Sequence, residues 1–190
     1  MIKFDAKQIR AFLEALDRHL DEPRRLILIG GSAAALAYGV ERTTRDIDTW
    51  SEWVRDVAGA ISKARADTGL AITAEYAAVA DGPYEFESRL ERVNLPALAR
   101  LEILVPEKHD LVLMKIVRGY EHDLETAVDI HARHGLDFET LFARFASEMD
   151  HVVGDRRKLD LNFLALVERL YDEKRLEEAG RRLLALRHRR

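Results

Sequence analysis

The stretch "LILIGGSAAALAYGVERTTRDIDTW", residues 26–50, decides how the chain is read. With Arg25 ahead of it, "RLILI" is short, apolar and rich in branched residues, the pattern of a buried strand. It stops at Gly30-Gly31-Ser32. Ser32 to Tyr38 is alanine-rich and is followed by Gly39, so it predicts a short, closely packed helix with a glycine C-cap. "RDIDTW" then predicts a second strand. Alternation along that strand puts Asp46 and Asp48 on one face, about 7 Å apart, and turns Ile47 into the core. Such a pair suits divalent metal: magnesium, or manganese in its place, takes one or two carboxylates and completes its shell with the phosphates of a nucleotide. Gly30 and Gly31 let a phosphate approach the backbone, and the following helix offers free N–H groups at its positive end. Ser32 reads both as the N-cap of that helix and as a phosphate ligand. Taken singly, a Gly-Gly-Ser turn and an Asp-x-Asp strand are each common structural features. Their order and separation link them to one function.

Around this centre the chain has the composition of a folded globule, with 190 residues, 47% hydrophobic and 34% charged. It contains no cysteine, so a metal here must be held by carboxylate, histidine or phosphate. No apolar run reaches the roughly 20 residues of a membrane span, and "MIKFDAKQIR" lacks the apolar segment of a signal peptide, which predicts a cytoplasmic protein without a membrane partner. The formal charge of −4 argues against a protein that coats nucleic acid through bulk electrostatics. The last ten residues, "RRLLALRHRR", are locally basic and read either as a solvated helix end or as an RNA contact.

Upstream, Phe4, Ile9, Phe12, Leu13, Leu16 and Leu20 follow a helical period, with Asp5 and Gln8 at capping-box spacing and Pro23 beyond the end. Downstream, residues 52–67 predict a helix, and "LAITAEYAAVA", "YEFESRLERV" and "ARLEILVP" predict three strands separated by Gly82-Pro83 and Asn94 to Pro96. After Glu107 the pattern is helical, with apolar stripes at Phe138, Leu141, Phe142, Phe145 and Met149 and again at Phe163, Leu164, Val167, Leu170 and Tyr171. The expected fold is α+β: a core of residues 1–105 built on a mixed sheet flanked by helices, then a helical bundle over 106–190 that packs on the core and closes a cleft.

Neither G-x-x-x-x-G-K-[ST] nor G-x-G-x-x-G is present, which excludes the P-loop and the dinucleotide fingerprint. The order strand, Gly-Gly-Ser, helix, Asp-Ile-Asp resembles instead the nucleotidyltransferase superfamily to which DNA polymerase beta belongs. More narrowly, "GGSAAALAYGVERTTRDID" resembles the G-G-x-A…G…R-x-T-x-D-I-D signature of the AbiEii and MenT-like nucleotidyltransferase toxins and their uncharacterised relatives. In those families a lysine follows a segment that runs from proline to Asp-Leu, and an acidic helix start comes after it. The matching stretch here is "VPEKHDLVLMKIVRGYEHDLETAVDI", residues 105–130.

The resemblance implies transfer of a nucleoside monophosphate from an NTP to an acceptor hydroxyl, with tRNA or another RNA as acceptor, and the setting of a toxin-antitoxin or phage-defence module with a cognate antitoxin. It implies catalytic roles for Asp46, Asp48, Lys115 and Asp123, with Asp46 and Asp48 as the metal ligands. The nucleotide would contact Gly30, Gly31, Ser32, Arg45, Lys115 and Arg118. Residue chemistry leaves alternatives open. Lys115, in "LVLMKIV", must reach solvent along its stem, pair with an acid or face a ligand. Arg118, one turn later, shares that face or pairs with Glu121 or His122. Arg42 and Arg45 suit a triphosphate or are solvated. Asp123 is a good N-cap residue, with Thr126 three positions on; relatives carry a second acid near Thr126, and this chain has threonine there. Glu102, alternating with Leu101 and Ile103, is the rival third carboxylate. His131 and His134 lack the partners of a zinc site. A nucleotidyltransferase that modifies protein, and a catalytically silent binding module, are the other two readings.

Overall fold

The computed structural model describes residues 3–41, 43–77 and 81–188. Arg42, the last three residues of the expected strand over 70–80, and the terminal arginines Arg189 and Arg190 lie outside them. The chain divides into two compact units: Met1–Ala80 with Arg89–Glu107, and Asp81–Ser88 with Lys108–Arg190.

The first unit opens with α1 (Ala6–His19), started by the expected capping box: the Asp5 carboxylate accepts from the Gln8 amide, and the Gln8 side chain accepts from the Asp5 amide. Its apolar stripe, Ile9, Phe12, Leu13 and Leu16, is fully buried, and it packs against α3 (Ala58–Thr68) and α2 (Gly30–Tyr38). Between α1 and α2 runs β1 (Arg24–Ile27). It pairs in parallel with β5 (Leu101–Val105), which pairs antiparallel with the two-residue β4 (Glu91–Arg92), so the sheet is mixed in the order β1-β5-β4. A second, parallel pair joins β2 (Ile47–Thr49) to β3 (Ala74–Tyr76). The single bridge Leu28–Thr49 ties the two sheets at the point where β1 ends.

One contact of this unit has no precedent in the sequence pattern. Asp17, in the last turn of α1, is 3% exposed, and its carboxylate accepts hydrogen bonds from the amides of Ala99, Arg100 and Leu101 at 3.0, 2.7 and 2.6 Å. Three backbone donors converge on one charged acceptor, so the start of β5 is fixed by a helix side chain.

Some expectations fail here. Among its described residues "LAITAEYAAVA" is a strand only over Ala74–Tyr76. Residues 52–67 are not one helix: a 3₁₀ turn over Glu52–Arg55 precedes α3. "YEFESRLERV" is not a strand over its length. Pro83 starts a turn in which its carbonyl accepts from the Phe86 amide, a 3₁₀ turn follows over Phe86–Arg89, and only Glu91–Arg92 pairs. Tyr84 and Phe86 alternate as in a strand, but the Tyr84 amide donates to the Glu148 carbonyl and Phe86 is buried, which places this segment in the helical unit.

The second unit is all helical among the described residues: α4 (Lys108–Arg118), α5 (Glu121–His134), α6 (Phe138–Glu148), α7 (Arg156–Leu170) and α8 (Glu173–Arg187). Phe145 and Phe163 stack at 4.0 Å in its core, and Leu111, Val112, Ile116 and Leu166 are fully buried around it. No described helix is long and apolar enough to cross a membrane.

Candidate functional site

The end of β1 explains how the glycines are used. The Leu28 amide donates to the Leu104 carbonyl and the Ile29 amide to the Asp48 carbonyl, which holds the backbone extended up to Ile29. The chain must then turn at once, and Gly30 does so at φ +64°, in the left-handed region where a Cβ is disfavoured. Packing gives a second reason for glycine. A Cβ on Gly30 would lie 2.8 Å from the Asp48 Oδ2, and one on Gly31 would lie 3.0 Å from the Thr44 Oγ1. The turn is therefore pressed against the carboxylate strand, and only glycine permits that approach.

The helix starts at Gly30, with Ile29 as its N-cap, which corrects the N-cap assigned to Ser32. Ser32 sits in the first turn, is 1% exposed, and donates its hydroxyl to the Ile29 carbonyl at 3.1 Å. The amides of Gly30, Gly31 and Ser32 occupy the first turn, where no intrahelical acceptor exists, and they offer an oxyanion both donors and the positive end of the dipole. Gly39, at φ 63°, caps the other end as expected.

Asp46 and Asp48 are half-buried on either side of Ile47, which is completely buried. Burying that isoleucine contributes about 1.5–3 kcal/mol and turns Asp48, its neighbour in β2, to the opposite face; Asp46 lies in the bend before the strand, which covers Ile47–Thr49 only and not the whole of the expected "RDIDTW". Thr49 adds to the anchoring: its hydroxyl donates to the Ile27 carbonyl at 2.7 Å. Arg45 is exposed in the bend just before Asp46, where the Thr44 hydroxyl donates to the Asp46 carbonyl. The donor set, two carboxylates beside a glycine cradle, fits a hard cation that brings phosphate oxygens of its own. Among the described residues no three acids or histidines gather into a cage that would hold a metal unaided.

Pairing of β2 with β3 brings up an acid that sequence reading missed. Glu75 is in register with Asp48 and exposed, so it lies on the carboxylate face. Nothing in "AEYA" marks it, because the partner of β2 is chosen by tertiary packing. Glu102, the rival third carboxylate, faces away from the core as its alternation predicts. It lies in register with Arg25, four residues before Ile29 and on the order of 13 Å of strand from the glycine turn. Arg25 holds it at 2.7 Å and Arg92 at 3.7 Å.

In the helical unit Lys115, Arg118 and Asp123 come together. Asp123 is not the N-cap of α5. Gly119 turns the chain at φ 65°, Tyr120 takes the cap position, and Asp123 falls in the first turn with 0% exposure. Its Oδ1 receives Arg118 Nη2 at 3.0 Å and the buried Lys115 Nζ at 3.4 Å, with His122 Nε2 at 3.8 Å. Its Oδ2 is buried and has no hydrogen-bond partner among the described residues. Lys115 thus does not extend to solvent. Arg118 pairs with Asp123 rather than with Glu121, whose carboxylate Arg169 holds at both oxygens.

The histidines have structural tasks. His131 Nδ1 accepts the Leu136 amide at 3.1 Å and His109 Nε2 accepts the Asp137 amide at 2.8 Å, so both fix the turn between α5 and α6. Burial lowers the pKa of His131 below its ordinary value, in keeping with a ring that accepts through an unprotonated nitrogen.

A strand of a small mixed sheet that ends in a glycine turn, a helix that opens on it and an aspartate-bearing strand bridged to the end of the first define a nucleotidyltransferase fold. The chain belongs to a family of nucleotidyltransferases of unknown function, DUF6036, which it matches over residues 6–174. No curated protein and no solved structure matches it.

Proposed function

We propose that this chain transfers a nucleoside monophosphate from an NTP to a hydroxyl of RNA, with tRNA the first acceptor to test, as the toxin of a toxin-antitoxin or phage-defence pair. The observation that carries the reading is the approach of Gly30 to Asp48: a Cβ would sit 2.8 Å from the carboxylate oxygen, so the phosphate-type turn and the metal-type acid share one place. Family membership supports the transfer chemistry, and the RNA acceptor and the toxin setting rest on the resemblance of residues 30–48 and 105–130 to the toxin families.

The amides of Gly30, Gly31 and Ser32 receive phosphate oxygens, and Arg45 adds a guanidinium from the adjoining bend. Asp46 and Asp48 would hold magnesium or manganese, which when bound neutralises triphosphate charge. In the reaction the acceptor oxygen bonds to the α-phosphorus as the bond to the oxygen bridging to the β-phosphate breaks. Pyrophosphate leaves with that electron pair. The resemblance assigns phosphate contacts to Lys115 and Arg118 and the acceptor proton to Asp123. Within the helical unit the Asp123 Oδ2 has no hydrogen-bond partner among the described residues, whereas Glu102 is engaged by Arg25 and Arg92.

The test is transfer from each of four α-labelled NTPs, with magnesium, into total tRNA and total protein, for the wild type beside Asp48→Ala. Label in RNA that vanishes in the variant is the expected result. Label in protein instead would move the assignment to protein nucleotidylylation, and no Asp48-dependent label in either pool would leave a binding module.

A further inference from the structure

The helical unit carries an exposed aromatic pair that the reaction does not use. Tyr120 is 58% exposed, and His122 stacks on it with centroids 5.6 Å apart and planes inclined by 27°. One face of the phenol is covered by the imidazole, and the rest of the ring is presented to solvent. The backbone is held on both sides of Tyr120. Gly119 precedes it in the left-handed region and is packed so closely on Asn162 that a Cβ would lie 2.2 Å from the amide nitrogen. Asn162 in turn donates to the Ile116 carbonyl, which caps the end of α4. On the other side the Tyr120 carbonyl accepts from the amides of Asp123 and Leu124, so the ring projects from the fixed first turn of α5.

Charges of both signs surround the ring. Lys115 and Arg118 pair with Asp123, and Arg169 pairs with Glu121 and also feels Glu125 and Glu168. Glu121 is taken up by Arg169 through both oxygens, and Lys115 is buried against Asp123. Arg118 is different. Its side chain is 55% exposed and it spends a single hydrogen bond, from Nη2, on Asp123, which leaves its other N–H groups without a hydrogen-bond partner among the described residues, two positions before Tyr120 in the chain.

A rigid, solvent-facing π surface beside a half-exposed guanidinium is the chemistry that receives one unpaired nucleotide, with the base stacked on the ring and the phosphate on the arginine. A duplex does not present the face of a base, and a peptide seldom offers a planar face with a phosphate attached. We propose that Tyr120, backed by His122 and flanked by Arg118, stacks a base of single-stranded RNA and so receives the acceptor strand. The inference rests on the reading of the chain as an RNA-modifying transferase, and it adds where and in what form the RNA is held.

The experiment is fluorescence anisotropy of a labelled single-stranded oligoribonucleotide of about eight nucleotides, and of its blunt duplex, with the full chain carrying Asp48→Ala so that no transfer intervenes. Tyr120→Ala and Tyr120→Phe are added on that background, and circular dichroism confirms that each folds. Single-stranded RNA is expected to bind in preference to duplex, with Tyr120→Ala roughly tenfold weaker, as loss of one base stack predicts. Tyr120→Phe, which keeps the ring, stays within about twofold of its parent on the same principle. Arg118→Ala is expected to weaken binding and to reduce the salt dependence by about one counterion. Unchanged binding of Tyr120→Ala, equal binding of duplex, or no RNA binding by the parent would each overturn the proposal. Tyr120-dependent RNA binding by a chain that transfers no nucleotide would refute the transferase reading and leave this one standing. Transfer into RNA that is indifferent to Tyr120 would do the reverse.

Discussion

Replacing Gly30 with alanine tests the central geometry, because the structure separates two costs. The first is conformational: a Cβ at φ +64° costs about 1–2 kcal/mol. The second is local. The new Cβ would stand 2.8 Å from the Asp48 Oδ2, well inside the 3.4 Å at which ordinary contact begins, so the carboxylate must rotate away. An off-rotamer side chain costs about 0.5–1.5 kcal/mol, which brings the sum to about 1.5–3.5 kcal/mol. Gly69 is the control, since it has φ +67° but nothing within 4 Å of a Cβ, so Gly69→Ala carries the first cost alone. The two variants should differ by about 1 kcal/mol, or roughly 2–4 °C in Tm for a chain of this size. Transfer activity should diverge far more. Displacing a positioned group by about 1 Å lowers a rate on the order of 100-fold, so Gly30→Ala should lose transfer to that extent while Gly69→Ala keeps it. The assays are thermal unfolding followed by circular dichroism and labelled-nucleotide transfer at a temperature where both variants are folded. Equal Tm and equal transfer for the two variants would refute the argument that Gly30 is glycine because of Asp48.

Asp17→Ala removes the acceptor of three buried or part-buried amides, Ala99, Arg100 and Leu101, and should destabilise the chain by about 3–5 kcal/mol, measured by urea unfolding; a loss below about 1 kcal/mol would show that water replaces the carboxylate. His131 has a folded pKa below its ordinary 6.5, so the unfolded chain binds the extra proton more readily; the contribution of the neutral ring is complete above pH 6.5 and is lost as pH falls through the lowered folded value. The stability of the wild type relative to His131→Asn should accordingly shrink as pH falls below 6.5, and a constant difference would remove the neutral-acceptor role. Arg118→Ala, at a half-exposed side chain, should cost less than about 1 kcal/mol of stability yet lower transfer about tenfold through lost phosphate charge; unaltered kinetics would remove Arg118 from the phosphate contacts of the reaction.

The parts of the fold that were legible depend on local pattern. The capping box at Asp5 and Gln8 and the stripe from Ile9 to Leu16 make α1 a helix whatever packs on it. The alternation Ile47-Asp48 likewise assigns its faces without a partner, because burying Ile47 leaves Asp48 no other side. Where the reading failed, a distant group decided the outcome. Ser32 is not a cap because Asp48 and Leu104 hold the preceding backbone extended and force the turn onto Gly30. Asp123 is not a cap because Lys115 and Arg118, on another helix, offer its carboxylate more than one amide does. Tyr84 and Phe86 alternate like a strand, yet turn into the helical unit at Pro83.

By itself, then, the sequence determined the class of fold, the two aspartates and the glycines beside them, since these follow from periodicity and from backbone freedom carried within a few residues. Tertiary structure alone decided that Gly30 touches Asp48, that Glu75 lies in register beside it, that Asp17 holds the start of β5, and that Lys115 and Arg118 share one carboxylate. Each of those contacts joins residues whose pairing is set by how sheets and helices pack. Such packing is a property of the whole chain, and no window of sequence contains it.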